Sequence, residues 1–291
     1  MSHLSNPKSK NLYKQQLDRL NDIDPNLPHG SNLKTKLLSG KQSVVLSSIA
    51  DAYLNFLNGI NNITTTDQTE WLKQSLSIFE NYYAFLKAPE NKKFSHQSDF
   101  LSSLLPELLY LSYSKIIQSA HSDLEITTQK DIIIDLSFLP YNDSSITFKP
   151  KRVDVAIVKK LDVTIGGEAL DFSIPIVALE VKTNLDKNMI SGVEYSVERL
   201  KRTFPLCKFY LVSELADFAY EKQNYAGTAI DEIIILRKQK RSVVRKNPKG
   251  INNVDLGLFE SHINDIHEFL NSNVVTPSNL KERLSTGRLI N

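Results

Sequence analysis

Between residues 131 and 182 the chain carries three successive apolar runs rich in β-branched residues, DIIIDLSFL (131–139), RVDVAIVKK (152–160) and IPIVALEVK (174–182). Runs of this length read as strands, and apolar residues at consecutive positions require a sheet covered on both faces. Helical patterns lie on either side of them, so the sheet has something to be covered by. Few architectures satisfy both conditions.

Upstream, residues 41–60 place Val44, Ile49, Tyr53, Phe56 and Leu57 on one stripe, and residues 69–88 do the same with Leu72, Leu76, Phe79, Tyr83 and Leu86. That spacing predicts two amphipathic helices, the second capped by Asp67. Residues 95–120 form a further helical segment starting near Ser98 or Asp99, kinked or split by Pro106. Pro7, Pro25, Pro28 and Gly30 exclude a long helix before residue 32, leaving room for a short one near LYKQQLDRLNDI. Downstream come a helix at 187–203, a strand KFYLVSE (208–214), another helical stretch, a strand DEIIILRK (231–238) and a helix near LFESHINDIHEFLN. The order predicts an α/β fold, a mixed sheet sandwiched by helices with an N-terminal helical region. We divide the chain into 1–90, a helical region, a core at 91–250, and a C-terminal helix and polar tail at 251–291.

Apolar residues make up 41% of the chain and charged residues 23%, which excludes disordered and fibrous classes. The formal net charge of +2 excludes a polycation. Local clustering matters more than the sum. RKQKRSVVRKNPK (237–249) holds seven basic residues and no acidic one; it reads either as a solvated surface loop or as an arm for phosphates, with Arg237, Lys238, Lys240 and Arg241 as candidate DNA contacts. The single cysteine, Cys207, excludes an internal disulfide and a cysteine-based zinc site, and fits a small core residue in a reducing compartment. No apolar stretch has signal-peptide character or approaches the ~20 residues of a membrane helix. The expectation is a soluble, cytoplasmic protein with no membrane partner.

Charges interrupt the central strands at three places. Successive side chains of a strand point to opposite faces, so Ile176, Ala178, Glu180 and Lys182 share one face of the third run, and Val177, Leu179 and Val181 the other. In the second run Val153, Val155 and Ile157 share a face, leaving Asp154 on the other. A connection containing Gly166 and Gly167 lets the two runs pair antiparallel, bringing Asp154, Glu180 and Lys182 together. Glu180 and Lys182 alone would fit an ion pair at a strand end. Two converging carboxylates beside an ammonium fit a metal site better, since Mg2+ prefers oxygen ligands and keeps several waters. An ion held by Asp154 and Glu180 would polarise a phosphodiester and lower the pKa of a bound water. Lys182 would orient that water or stabilise the charge that develops on phosphorus oxygens.

Pro150, Asp154, Glu180 and Lys182, on the second and third strands of an α-β-β-β-α-β order, resemble the PD-(D/E)xK nuclease superfamily. PIVALEVKTNLDKNMISGVEYSVERLK, followed by a proline and FYLVSE, resembles type II restriction endonuclease subunits of the BbvCI-like group. HQSDFLSSLLPELLYL resembles the helix of that group that precedes the sheet and carries a further glutamate, here Glu107. The resemblance spans residues 95–215. It implies a restriction-endonuclease-like fold, Asp154 and Glu180 as metal ligands with the Val181 carbonyl as a third, Lys182 as catalytic lysine and Glu107 as a further catalytic carboxylate. A solvent-facing helix glutamate is the other reading of Glu107. Glu198 reads as a charge partner of Arg199 or Arg202 more readily than as an active-site group, and His96 as polar surface or a DNA contact.

The implied activity is Mg2+-dependent hydrolysis of double-stranded DNA at a specific short sequence by a type II restriction endonuclease or one subunit of a heterodimeric one. A second nuclease subunit is then a partner, a heterodimer being favoured over a homodimer, and a companion methyltransferase is encoded separately. Alternatives on the same core are a repair, resolvase or transposition nuclease, or a non-catalytic DNA-binding module.

Overall fold

The three apolar runs fold as neighbouring strands that outreach their apolar centres. β1 (Glu125–Leu139), β2 (Ser145–Ile165) and β3 (Glu168–Leu185) form an antiparallel meander. β4 (Lys208–Ala216) and β5 (Glu232–Ile235) extend it in parallel, giving the order β1-β2-β3-β4-β5. The structure is a computed structural model and describes residues 7–39, 44–91, 98–139, 145–165, 167–218 and 227–273.

Helices cover both faces. α1 (Pro7–Asn21), α2 (Pro28–Leu38), α3 (Val44–Asn61), α4 (Gln68–Lys87), α5 (Ser98–Ser102) and α6 (Leu104–Ile116) precede the sheet. α7 (Lys187–Thr203) joins β3 to β4, and a short α8 (Arg241–Lys246) leads to α9 (Leu256–Asn273). Ile190, Val193, Val197 and Leu200 of α7 pack with Ala156, Ala178, Phe209 and Leu211 on one face. On the other, one continuous core joins Val155, Ile157, Val177, Leu179 and Val212 to side chains of α1–α6 and α9. The region before residue 90 and the C-terminal helix therefore share a single core with the sheet.

Local rules account for many element ends. Asp67 and Asp186 cap α4 and α7 by accepting the N–H groups of Glu70 and Met189, at 2.7 and 2.8 Å. The helical segment around Pro106 splits at Ser103, which places the proline in the first turn of α6, where its missing N–H leaves no hydrogen bond unmade. Ile49, Tyr53, Phe56 and Leu57 of one stripe are buried, as are all five residues of the other; the side chain of Val44 lies outside the described residues. Cys207 is a buried free thiol.

The structure departs from the sequence reading at several points. Pro28 does not break a helix but starts one: it occupies the first turn of α2, for which its fixed φ is already suited. Gly30 lies in the same helix, at a place where a Cβ would overlap Tyr53 and Ile23. Ile176 packs with Val177 and Leu179 instead of Ala178, because the register slips between Ile157 opposite Val177 and Val158 opposite Pro175. Val153 packs on the α7 side, away from Val155 and Ile157. The helical stretch expected between β4 and β5 falls largely on residues 219–226, and the polar tail on 274–291; both lie outside the described residues. No helix among the described residues is long and apolar enough to cross a membrane.

Candidate active site

β2 and β3 run antiparallel with Ala156 opposite Ala178 and Val155 opposite Leu179. One step further in the same register, Asp154 comes opposite Glu180, and cross-strand partners have Cβ atoms about 4.5–5.5 Å apart. The Asp154 side chain leans over β3 and its Oδ2 accepts the Val181 N–H at 2.8 Å. Its Oδ1 accepts from Gln129 Nε2 on β1 at 3.0 Å. Lys182 Nζ donates to Glu180 Oε1 at 2.7 Å, and Lys151 Nζ to Glu180 Oε2 at 3.3 Å. The structure thus brings together Asp154, Glu180 and Lys182, and adds Gln129 and Lys151, which sequence reasoning missed. Lys151, three residues ahead of Asp154, carries no alternation signal that would distinguish it from a surface lysine.

Electrostatics follow from this crowding. Burial, then the Glu180 carboxylate, push the Asp154 pKa above the usual carboxylate range, against the opposing pull of the Val181 N–H. Burial works against the Lys182 ammonium, but Glu180 and Asp154 more than offset it and raise its pKa. Glu180 and Lys151 each keep 14% of their side-chain surface exposed and Lys182 keeps 31%, so the cluster on these interior strands remains reachable by solvent.

Two carboxylates on neighbouring strands, with two ammonium groups drawn onto one of them, make a site that accepts positive charge. All its acidic donors are oxygens, which suits a hard divalent cation. Among the described residues no group of three or more His, Cys, Asp or Glu side chains forms a ligand cage. A cation here would rest on two carboxylates and complete its shell from backbone carbonyl and water.

Glu107 makes its hydrogen bonds with α2. Its side chain is fully buried, and Oε2 accepts the N–H groups of His29 at 2.8 Å and Gly30 at 3.1 Å, the first turn of α2. Burial raises its pKa to about 7, against the pull of Tyr53 and the two N–H groups. No hydrogen bond or ion pair joins it to Asp154, Glu180 or Lys182, and it is not solvent-facing. It caps α2, supplying from a distant helix the acceptor that Leu27 at the N-cap lacks. His29 beside it is held neutral by burial, with a pKa lowered to about 3, and reaches Tyr82 Oη at 2.9 Å.

The basic arm divides. Arg237 is a correction: its side chain is wholly buried, its Nε donates to Glu214 at 2.8 Å and its Nη1 to Glu80 at 2.9 Å, and its guanidinium lies 4.4 Å from the Tyr83 ring centre. A planar fork of donors matches two carboxylates and an aromatic face, so it ties the segment that follows β5 to β4 and α4 and is out of reach of a DNA phosphate. Lys238 is 58% exposed and pairs with Asp255 at 2.7 Å. Arg241 reaches Asp217 at 3.3 Å, and Lys240 precedes α8. Glu198 is exposed on α7 without an ion pair among the described residues, since Arg199 pairs with Asp135 at 2.9 Å instead. His96 lies outside the described residues.

A family model described as Bpu10I restriction endonuclease matches residues 142–285, a span that takes in Asp154, Glu180 and Lys182. Among solved structures, a chain of the native BbvCI A2B2 tetramer is 27% identical, with a TM-score of 0.67 over 87% of this chain and 100% of that one. A PspGI restriction endonuclease in complex with substrate DNA is 14% identical with a TM-score of 0.36, over 79% of this chain and 93% of that one, too slight a likeness to add to the case. No curated protein sequence matches the chain significantly. With its mixed five-stranded sheet between helices, its two facing carboxylates and these matches, the chain is a restriction-endonuclease-like nuclease: a type II restriction endonuclease, or a subunit of one.

Proposed function

We propose that the chain hydrolyses double-stranded DNA at a specific short sequence using Mg2+, with Asp154, Glu180 and Lys182 as its catalytic set. The observation that carries this reading is the facing of Asp154 and Glu180 across β2 and β3 with the Lys182 ammonium on Glu180. Asp154 and Glu180 would hold the ion, the Val181 carbonyl serving as a third ligand. Bound there, Mg2+ supplies positive charge to the scissile phosphate and lowers the pKa of a bound water. Lys182, beside Glu180, would donate to the attacking water or to the oxygens on which charge develops. Val181 N–H keeps the Asp154 carboxylate turned toward β3 throughout.

Lys238, Lys240 and Arg241 would add phosphate contacts, and the helical region before residue 90 would take part in recognition. One catalytic set cuts one strand, so a double-strand break needs a second. The solved relative is an A2B2 tetramer, which supports a second, different nuclease subunit for this chain. A cytoplasmic location and a separately encoded methyltransferase complete the restriction role. The test is incubation of the protein with Mg2+ and a long DNA of known sequence, followed by mapping of fragment ends. Discrete ends at one recurring sequence are expected; random ends, or no metal-dependent cutting with or without a partner subunit, would overturn the reading.

A further inference from the structure

Gln129 breaks the regularity of β1. The strand runs from Glu125 to Leu139, yet Gln129 within it has φ 50°. Among the described non-glycine residues only Lys238 shares that left-handed backbone, which a side chain occupies at a cost. Around this residue both strands of the β1–β2 ribbon change faces. Ile126 packs with the N-terminal helices while Ile132 and Ile134 pack with α7, although strict alternation would keep all three on one side. On β2 the change falls between Val155 and Val153. The register pairs Thr128 with Val155 and Lys130 with Val153, so the residues at the pivot are Gln129 and Asp154.

The pivot lets the ribbon feed both cores, but the Gln129 side chain itself is exposed and joins neither. What the conformation does is bring its Nε2 to 3.0 Å from Asp154 Oδ1, while Val181 N–H holds Oδ2 at 2.8 Å. Each carboxylate oxygen thereby receives one hydrogen bond and keeps a second lone pair. Carboxylates that ligate metals are oriented in this way, and losing such a partner typically costs about 10–100-fold in metal affinity or activity.

We propose that Gln129 is a positioning residue of the active site, holding the Asp154 carboxylate by its side-chain amide in the orientation that receives a divalent cation. This rests on the metal-dependent reading above, and deepens it by assigning a function to the ribbon's pivot. Gln129 touches neither metal nor phosphate in this role; it acts through Asp154.

Glycine separates the two things Gln129 contributes, because it adopts φ near 50° freely and has no amide. Gln129→Gly and the shape-conserving Gln129→Leu are compared with the unaltered full-length chain by thermal unfolding, by calorimetric titration with Mn2+ as the probe, and by cleavage against metal concentration. The glycine variant is expected to stay folded, to bind Mn2+ about 10–100-fold more weakly and to need correspondingly more metal for half-maximal cleavage. Folded Gln129→Leu should match it. Unaltered Mn2+ affinity in Gln129→Gly would overturn the proposal and reduce Gln129 to a bend in the ribbon, whatever the leucine variant does. An unaltered chain that binds Mn2+ but cuts no DNA would overturn the nuclease reading alone, leaving Gln129 to be judged by the titration. An unaltered chain that binds no divalent metal would overturn both.

Discussion

Lys182 Nζ lies 2.7 Å from Glu180 Oε1, two residues along the same strand. The pair is half of a four-charge cluster in which Lys151 takes the other Glu180 oxygen and Asp154 faces it across the ladder. Removing the ammonium should therefore affect the reaction more than the fold. Lys182→Met is expected to lower the cleavage rate by roughly 10²–10³-fold, the loss typical when one stabilising donor is deleted. Binding of specific DNA without metal should be unchanged in a gel-shift titration. Near-normal cutting by this variant would take Lys182 out of the mechanism. Glu180→Ala should lose both cleavage and Mn2+ binding.

Arg237 and its neighbours in the basic segment should separate cleanly. Arg237→Met leaves Glu80 and Glu214 without their shared partner, and breaking a buried pair typically costs about 3–5 kcal/mol. Chemical denaturation should register that loss, while the salt dependence of DNA binding by the folded protein stays as it was. Neutralising Lys238, Lys240 and Arg241 together should do the reverse. Each lost phosphate contact is expected to flatten the salt slope by about 0.9. An unchanged slope in the triple variant would mean that α8 and its approach face away from DNA.

Glu107 makes stability depend on pH. Its folded pKa of about 7 stands above the ordinary 4.5, so between those values the folded chain holds a proton that the unfolded chain has released. Stability from this group is then greatest below about pH 4.5 and is lost as pH rises to about 7. Glu107→Gln keeps an oxygen for the His29 and Gly30 N–H groups and cannot ionise. Relative to the unaltered protein it should gain stability progressively across that window, on the order of 3 kcal/mol at pH 8. The difference curve matters because buried neutral His29 and His262 oppose it, each costing stability as pH falls below the ordinary histidine value. Cleavage should survive within a few-fold. Lost cleavage with an unchanged stability profile would instead put Glu107 in the reaction.

Subunit number is testable with the lone chain and supercoiled plasmid. One catalytic set hydrolyses one strand, and a chain that pairs with a different subunit reads one half of an asymmetric target. Nicking or inactivity, converted to linearisation by a second polypeptide, is the expected outcome. Efficient linearisation at a palindrome by this chain alone would point to a homodimer, whose two-fold axis demands a symmetric site.

What could be read from the sequence was what neighbouring residues impose on one another. Alternation over residues 152–160 and 174–182 identified two strands and located Asp154, Glu180 and Lys182 on them. The helical reading of residues 187–203 matched α7, and Asp67 marked the start of α4. Each of these signals acts within a few residues, through sterics, capping or the period of an element, so one chain segment suffices to show it. Tertiary structure decided the rest. Gln129 meets Asp154 across 25 positions and Arg237 meets Glu80 across 157. Glu107 meets the first turn of α2 across 78. The same arginine, glutamate or glutamine would be solvated surface in another fold, since a charged or amide group declares its role only through the partner that replaces its water. Which groups lose that water is fixed by how the layers close over one another, and no local pattern in these residues encodes it.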